Sequence, residues 1–282
     1  MASESRQPVK ILSIQSHVSY GYVGNRSAVF PLQCMGFDVI AVNTVQFSNH
    51  TGYPHYRGDV FPRKHISEVL KGLKEQDLFK EINTIISGYM GDSELAELVI
   101  ETVSAIQYEN PAAVYLCDPV MGDEGRGIYV NKDLPYFFQN QAVKHAKILT
   151  PNLFELALLT DFEIRNYDDI AKACRKLHSQ GVEIILVTSV IIEDTGSQSI
   201  EMIASQAKGD ILRIEKPRLN IDPAPNGAGD LTAALFCGHI IRGKNLCDAL
   251  EATAETLYQV FCNTLNSGSR ELALIQSREF FK

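Results

Sequence analysis

The sequence has few basic residues, no long apolar run and no C-x-x-C pair, and each absence excludes a class of protein. Among its 282 residues, 26 Lys and Arg stand against 34 Asp and Glu, a net charge of −8. A chain with this charge is a poor candidate for binding nucleic acid or an anionic membrane. The longest apolar stretch, at 184–192, is too short to span a bilayer. We therefore expect neither a nucleic acid nor a membrane as a partner.

The six cysteines do not form a metal-binding or disulfide framework. They lie at positions 34, 117, 174, 237, 247 and 262, without the paired spacing that zinc sites show. Reduced thiols are typical of proteins of the cytosol, and the first residues lack an apolar signal region. We therefore expect a cytoplasmic protein, in which the glycosylation patterns at Asn25 and Asn49 are coincidental.

Short β-branched runs alternate along the chain with longer helical patterns, and no repeat or linker interrupts them. Strands are predicted at 9–14, 39–43, 84–87, 113–117, 147–149, 183–187, 199–205 and 211–215. Helices are predicted at 24–35, 63–79, from a cap at Asp92 to 106, from a cap at Asn152 to 159, and at 167–179, 231–241 and 246–265. This alternation predicts an α/β fold with a mostly parallel sheet covered on both faces.

In parallel sheets of this kind, ligands bind at the carboxyl ends of the strands. The residues that follow the predicted strands are rich in polar and small side chains. They are Ser16, His17, 44–50, Gly88, Tyr89, Asp118, Asn152, Glu155, Thr188 and 227–230. We expect the functional site among them.

The sharpest motif is Asn226-Gly227-Ala228-Gly229-Asp230, which precedes an apolar helix. Its glycines let the backbone approach a ligand closely, and the free N–H groups of a helix N-terminus attract an anion. An Asp beside a phosphate held in this way suits phosphoryl transfer, because the carboxylate can take the proton of an attacking hydroxyl. An ordinary turn with a helix-capping Asp explains the same residues, so the motif alone leaves both readings open.

A second glycine pattern, at 238–245, is similar to a phosphate-binding P-loop but lacks its final Ser or Thr. It also lies at the end of a predicted helix, whereas a P-loop joins a strand to a helix. We therefore interpret Gly243 as a helix C-cap.

Two acidic residues, Asp118 and Glu155, follow different predicted strands. Carboxylates at neighbouring strand ends can hold Mg²⁺ beside nucleotide phosphates, directly or through water. Thr188, at the end of a buried strand, can offer oxygens to a cation or a phosphate. Simpler explanations exist for these residues. The acidic pair can be a solvated charge and a residue on a helix face, and Thr188 can belong to a turn. Asn152, which precedes Glu155, can be a helix cap.

The segment 43–53 is too polar and too aromatic for a plain linker. Phe47 offers a ring face for stacking, and His50 and Thr51 offer hydrogen bonds, a mixture that suits a small heteroaromatic ligand. An edge strand followed by a turn is the alternative. His50 is not interpreted as a base, because a lone histidine is more often structural.

The segment 122–127 combines glycines with charged residues and predicts a mobile loop. A loop of this composition suits a lid that closes over phosphates and excludes water, which would otherwise hydrolyse a phosphoryl donor. A solvated surface loop is the alternative.

Together these motifs resemble the pyridoxal kinase family, a branch of the ribokinase-like superfamily. The resemblance runs from about Val9 to about Leu265. It rests on the segments 13–18, 21–25, 43–51, 87–89, 117–122 and 150–155 and on the Gly-x-Gly-Asp element at 227–230. The block from Val45 to Thr51 is specific to this family, whereas the Gly-x-Gly-Asp element is shared across the superfamily.

The resemblance implies one ribokinase-like domain over 1–282, a three-layer α/β/α sandwich with a lid at about 119–130. It implies ATP-dependent phosphorylation of the 5′-hydroxymethyl group of pyridoxal in vitamin B6 salvage, with pyridoxine and pyridoxamine also accepted. Mg²⁺ and a monovalent cation, usually K⁺, are the implied cofactors. Members of the family are typically homodimers.

The resemblance also implies roles for individual residues. Asp230 is the implied base, and the amides of Gly227, Ala228 and Gly229 receive the transferring phosphoryl group. The implied substrate-binding residues are Ser16, Val23, Val45, Phe47, His50, Thr51, Tyr89 and Asp230. On the nucleotide side they are Asp118, Asp123, Tyr129, Asn152, Glu155 and Thr188, of which Asp118, Glu155 and Thr188 are the implied metal ligands.

The sequence departs from the family pattern at two positions. Ala228 stands where Thr or Val is usual, and Asn226 stands where an apolar residue is usual. A hydroxymethylpyrimidine or sugar kinase of the same fold is an alternative, although a sugar site needs more convergent polar groups. A vitamin B6 carrier without catalysis is a third, which needs neither Asp230 nor the acidic pair.

Overall fold

The computed structural model describes residues 8–193 and 195–282. Its strands are β1 (Lys10–Tyr20), β2 (Asp38–Asn49), β3 (Gly58–Val60), β4 (Ile82–Ser87), β5 (Val114–Cys117), β6 (Gly122–Asp123), β7 (Gly127–Ile128), β8 (Ile148–Leu149), β9 (Ile184–Val190), β10 (Ser199–Gln206) and β11 (Ile211–Pro217). Its α-helices are α1 (Asn25–Cys34), α2 (Arg63–Glu75), α3 (Ser93–Glu109), α4 (Leu134–Phe137), α5 (Val143–His145), α6 (Leu153–Thr160), α7 (Tyr167–Ser179), α8 (Ala228–Ile241) and α9 (Leu246–Ser267). A π-helical turn, Phe138–Ala142, joins α4 to α5, and 3₁₀ turns lie at Leu78–Lys80 and Arg278–Phe280.

Nine of the strands form one sheet in the order β11-β10-β9-β8-β5-β4-β1-β2-β3. The strands from β9 to β2 in this order pair in parallel. Antiparallel pairings add β3 at one edge, and β10 followed by the edge strand β11 at the other. Parallel neighbours need long crossovers, which the helices supply. The carboxyl ends of the parallel strands consequently lie along one edge of the sheet, as the predicted site requires.

Helices cover both faces of this sheet. Because successive strand residues point to opposite faces, Leu12 packs with side chains of α2, α3, α6 and α7, whereas its neighbour Ile11 packs with those of α1, α8 and α9. Both residues are fully buried, and burial of such a side chain contributes about 1.5–3 kcal/mol. The predicted three-layer α/β/α sandwich with a mostly parallel sheet is confirmed.

The predicted helix caps are also confirmed. Asp92 Oδ1 accepts a hydrogen bond from Leu95 N at 2.9 Å, and Asn152 Oδ1 accepts one from Glu155 N at 2.8 Å. These bonds satisfy amides that have no partner within the helix. Gly243 follows α8 with φ +84, the left-handed conformation expected of a glycine at this position.

Several local predictions were wrong. The first strand does not end at 14 but continues to Tyr20, so Ser16 and His17 lie within it and not after it. The second strand does not end at 43 but continues to Asn49, so most of the segment 43–53 is strand. The segment 122–127, predicted as a loop, folds back as a hairpin in which β6 pairs with β7. The helical segment from Leu134 to His145 was not predicted, because polar residues and a π-helical turn interrupt its apolar period.

Within the described residues, no helix is long and apolar enough to cross a membrane.

Candidate active site

The first turn of α8 forms a cradle of amide groups. Gly227 precedes the helix with φ +82, and Ala228, Gly229 and Asp230 form its first turn. Their N–H groups have no acceptor inside the helix and lie at its positive end. We call the N–H groups of 227–230 the amide cradle. It has the chemistry that the sequence predicted for an anion site.

The turn that leads from β1 into α1 packs directly against the amide cradle. A Cβ atom on Gly227 would overlap the carbonyl oxygen of Tyr22, and one on Gly24 would overlap that of Ser16. Ser27 Oγ donates to the carbonyl of Gly227 at 2.9 Å. Glycine is therefore needed at 227 to bring the two helix N-termini together, and at 24 to let the turn before α1 pass close to β1.

Asp230 lies in the amide cradle with its side chain partly buried. Burial raises the pKa of Asp230 to about 6, although the backbone amides of Gly24 and of Asp230 itself favour the ionised form and lower it. A carboxylate with this pKa is mostly ionised at neutral pH and can accept a proton. It has the properties required of the predicted base.

The two predicted acidic residues lie close together and are both almost completely buried. Asp118 Oδ1 accepts a hydrogen bond from Thr150 Oγ1 at 3.1 Å. Burial, followed by the charges of Glu155 and Asp230, raises the pKa of Asp118 well above its usual value. The structure therefore brings three carboxylates, two of them from different strand ends, into one electrostatic group.

Glu155 is engaged by backbone amides on both of its oxygens. Its Oε1 accepts from Met121 N at 2.9 Å and its Oε2 from Asn152 N at 2.9 Å. Burial raises the pKa of Glu155 to about 7, although these amides lower it. Asn152 and Glu155 form a reciprocal capping box at the start of α6. The explanation of Asn152 as a helix cap is therefore confirmed.

Asn152 also connects the acidic group to its neighbours. Its Nδ2 donates to the carbonyl of Gly122 at 2.8 Å, in the hairpin of β6 and β7. It forms an isolated parallel bridge with Thr188, whose amide donates to Pro151 O at 2.9 Å. Thr188 therefore lies beside Asn152 but within β9, which continues to Val190 and not only to 187 as predicted.

Of the two predicted lid residues, Asp123 lies in the hairpin at 122–128 and Tyr129 directly follows it. Asp123 accepts from Arg126 Nε at 2.7 Å, and the Arg126 guanidinium lies 5.0 Å from the centre of the Tyr129 ring. Tyr129 N donates to Met121 O at 3.1 Å. Asp123 is thus paired inside the hairpin, whereas burial and the Glu155 charge both raise the pKa of Tyr129. Tyr129 therefore lies near Glu155 and is 43% exposed.

An aromatic cluster adjoins the end of β2. The rings of Phe47 and Tyr56 lie 5.0 Å apart at 51°. Burial raises the pKa of Tyr89, and the nearby Tyr56 hydroxyl raises it further. Phe47 therefore packs against Tyr56, which no sequence motif indicated, and Tyr89 lies near the hydroxyl of the same Tyr56. Val45 is 2% exposed on the same strand.

Ser16 and Val23 lie at the turn that packs against the amide cradle, Ser16 against Gly24 and Val23 against Gly227. Ser16 occupies the point at which the register between β1 and β2 shifts, between Gln15 and His17. Such an irregularity re-aims a side chain next to a site. The Val23 backbone packs against Gly227, 3.2 Å from where its Cβ atom would lie.

The turn after β2 closes the region from the other side. A Cβ on Gly52 would lie 2.9 Å from Asn226 Nδ2, directly before the amide cradle. His50 is buried, and its Nε2 lies 2.9 Å from Glu271 Oε1. Thr51 is exposed in this turn. Glu271 was not predicted, because a contact across 221 residues leaves no local pattern.

Within residues 8–193 and 195–282, no three His, Cys, Asp or Glu side chains are grouped to hold a metal ion by themselves. The donors present nevertheless suit Mg²⁺ that arrives with a nucleotide, because carboxylate oxygens such as those of the buried Asp118 and Glu155 are ligands that Mg²⁺ prefers. A nearby cation would favour their ionised forms.

A parallel α/β sandwich, a helix N-terminus free to hold phosphate and a carboxylate within that cradle define a small-molecule kinase. A family model described as phosphomethylpyrimidine kinase matches residues 28–274. The "Pyridoxal kinase PdxY" of Rubrobacter xylanophilus is 45% identical over 272 residues, which cover 96% of this chain and 93% of that protein. The chain therefore belongs to the phosphomethylpyrimidine kinase family, as a member of its pyridoxal kinases.

Solved structures agree with this assignment. Pyridoxal kinase from Entamoeba histolytica matches with a TM-score of 0.88 and 30% identity, over 98% of this chain and 96% of that one. Pyridoxal kinase from Leishmania donovani in complex with ADP and pyridoxine matches with a TM-score of 0.89 and 29% identity, over 96% of this chain and 94% of that one. The resemblance stated from the sequence is confirmed.

Proposed function

We propose that this chain transfers the terminal phosphoryl group of ATP to the 5′-hydroxymethyl group of pyridoxal, and also accepts pyridoxine and pyridoxamine, in vitamin B6 salvage. The observation that carries the proposal is the partly buried Asp230 carboxylate within the amide cradle. The turn after β2, the strand that carries Phe47, packs through Gly52 against Asn226, directly before this cradle. The pyridoxal kinase relatives support the choice of substrate.

In the proposed reaction, the 5′-oxygen forms a bond to the terminal phosphorus while the bond from that phosphorus to the bridging oxygen of ADP breaks. Asp230 accepts the hydroxyl proton as the oxygen attacks. The amides of Gly227, Ala228 and Gly229 stabilise the charge on the transferring phosphoryl group. Ala228 is compatible with this role, because it contributes a backbone N–H like any other residue.

The substrate ring is proposed to lie between the end of β2 and the amide cradle. Phe47 and Tyr89 offer ring faces, and the buried Val45 and the partly buried Val23 offer apolar contacts. Ser16, Thr51 and His50 complete the set of proposed substrate-binding residues. Both ring nitrogens of His50 are engaged within the protein, so His50 shapes the pocket and is not a base.

The nucleotide is proposed to lie between the amide cradle and the hairpin at 122–128, which serves as the lid within about 119–130. Asp123, Tyr129, Asn152 and Thr188 border it, and the lid excludes water from the phosphates. Asp118 and Glu155, with Thr188, would hold Mg²⁺ and a monovalent cation such as K⁺. When bound, these cations offset the negative charge of the phosphates.

We further propose that the chain is a cytoplasmic homodimer of single kinase domains spanning 1–282. Six free cysteines and an acidic surface support the cytoplasmic part of this proposal. The dimer rests on the resemblance alone, and a sedimentation measurement of the purified chain tests it.

An assay of ADP release tests the function. We expect MgATP and K⁺ to support phosphorylation of pyridoxal, pyridoxine and pyridoxamine well above that of hydroxymethylpyrimidine and ribose. Reactions without an acceptor control for hydrolysis of ATP. Preferred turnover of hydroxymethylpyrimidine would make the chain a hydroxymethylpyrimidine kinase, and tight binding of pyridoxal without ADP release would make it a carrier.

The rate of the reaction should depend on the ionisation of Asp230. Because the pKa of Asp230 is raised to about 6, the base is ionised above this pH and protonated below it. We expect kcat/KM for pyridoxal to fall about tenfold for each pH unit below about 6. The profile is measured with saturating MgATP, since the phosphates of free ATP also titrate.

A titration of the free enzyme measures the pKa of Asp230 without contributions from the ionisation of ATP or pyridoxal. In ¹³C NMR spectra of the free enzyme, the Asp230 carboxyl signal, assigned by its loss in Asp230→Asn, should titrate near pH 6. A signal that titrates below about pH 4, as in an exposed Asp, would contradict the burial of this group.

A further inference from the structure

A buried carboxylate outside the motifs connects three parts of the site. Glu271 lies beyond α9 and is 5% exposed. Its Oε2 accepts from Tyr22 N at 3.1 Å, and its Oε1 accepts from Tyr53 Oη at 2.7 Å and lies 2.9 Å from His50 Nε2. One carboxylate therefore binds the turn before α1 and both ends of the turn at 50–53.

These contacts determine the tautomer of His50. Gly52 N donates to His50 Nδ1 at 3.2 Å, so Nδ1 carries no proton. The neutral ring must then carry its proton on Nε2, and this proton is donated to Glu271 Oε1. The plane of the ring is thereby fixed, and its face packs on Tyr53 with ring centres 4.7 Å apart.

Neighbouring residues hold the Glu271 carboxylate close to the turn before α1 and to the turn at 50–53. Gly21 has φ +88, and a Cβ atom there would lie 2.5 Å from Glu271 Oε2. The neighbouring Arg270 places its guanidinium 4.0 Å from the centre of the Tyr53 ring and donates to the carbonyl of Gly52. Ala273 N donates to Thr264 Oγ1 at 2.9 Å, which attaches the segment to α9.

We infer that Glu271 is a positioning residue that aligns the substrate pocket with the amide cradle, an inference that rests on the proposed function. Tyr22, bound by its amide, is the residue whose carbonyl contacts Gly227. The turn at 50–53, bound through His50 and Tyr53, carries Gly52, which packs against Asn226. In this inference Glu271 contacts neither the phosphates nor the pyridine ring of the substrate, and it acts through Tyr22, His50 and Tyr53.

The variant Glu271→Gln tests this inference with little change in shape. The carboxylate accepts three donors, whereas an amide presents an NH₂ group on one side, so at least one donor faces another donor. We expect KM for pyridoxal to rise about tenfold, with kcat within about threefold of wild type and KM for ATP unchanged. Such a rise corresponds to the loss of about one buried hydrogen bond to a charged group.

Glu201→Gln is the matched control. Glu201 is also 5% exposed and also accepts from a tyrosine, Tyr167 Oη at 2.7 Å, but it lies in β10. We expect its kinetic constants to equal those of wild type. If both variants raise KM equally, or if Glu271→Gln lowers kcat and leaves KM unchanged, Glu271 does not position the pocket.

A double-mutant cycle tests the route through His50. If Glu271 acts by orienting this ring, Glu271→Gln should raise KM for pyridoxal much less in a His50→Gln background than in wild type. Additive effects of the two substitutions would overturn the inference.

An NMR measurement without substrate separates this inference from the proposed function. The ¹⁵N shifts of His50, assigned by their loss in His50→Gln, should show the Nε2–H tautomer in wild type and a mixture in Glu271→Gln. An unchanged tautomer would overturn the role of Glu271 even in an active kinase. A changed tautomer in a protein that phosphorylates no B6 vitamer would leave the contact intact and contradict the proposed function alone.

Discussion

Replacing Asp230 by Ala should lower kcat for pyridoxal phosphorylation by about 10²- to 10⁴-fold. The variant keeps the amide cradle but removes the group that accepts the proton of the 5′-hydroxyl. KM for ATP should change much less, because the phosphates are held by backbone amides. Steady-state ADP release, with each substrate varied in turn, measures both effects.

Asp248→Ala provides the matched control for this substitution. Asp248 is likewise the acidic residue in the first turn of its helix, α9, where it is exposed. Its removal should cost a few tenths of a kcal/mol of helix stabilisation and leave turnover unchanged. Wild-type turnover in Asp230→Ala would remove Asp230 from the mechanism.

Replacing Gly227 by Ala should lower kcat/KM for ATP by about 10²-fold or more. A Cβ atom at this position overlaps the carbonyl oxygen of Tyr22, so the turn before α1 and the start of α8 must separate. Displacement of catalytic groups by about 1 Å is enough for a loss of this size. The same assay with varied ATP measures it, and chemical denaturation gives the accompanying loss of stability.

Gly243→Ala is the control that separates two effects of Gly227→Ala: the overlap with the Tyr22 carbonyl and the cost of a left-handed backbone conformation. Gly243 follows the other end of α8 with φ +84, almost the same as Gly227 with φ +82, and its surroundings are open. Both variants bear the cost of a left-handed alanine, about 1 kcal/mol. Only Gly227→Ala should lose activity, and equal activity in the two variants would show that the contact with Tyr22 does not matter.

Those parts of the fold that depend on local sequence were predictable. Apolar strands between helical patterns gave the parallel sheet, because strands covered on both faces have no polar side. The caps at Asp92 and Asn152 followed from side chains that accept a hydrogen bond three residues ahead. The Asp230 motif was found in the same way, since its glycines and its acid are adjacent in sequence.

The remaining features depend on contacts between distant segments. The end of β2 was placed too early because its alternation changes at Thr44, where the strand continues beside the shifted register of β1. Tyr56 and Glu271 belong to no local motif, and only the fold brings them to Phe47 and His50. The residues adjacent to His50 in the sequence were enough to select it as a site residue. Its hydrogen bond to Glu271 could not be predicted, because the two residues are 221 positions apart.

A crystal structure with ADP and pyridoxal would show whether the substrate pocket and the amide cradle meet at Asp230. We expect the pyridine ring beside Phe47 and Tyr89, with its 5′-hydroxyl within about 3 Å of an Asp230 carboxylate oxygen and facing the β-phosphate of ADP at the amide cradle. A ring bound elsewhere, or an Asp230 carboxylate turned away from the 5′-hydroxyl, would contradict this expectation.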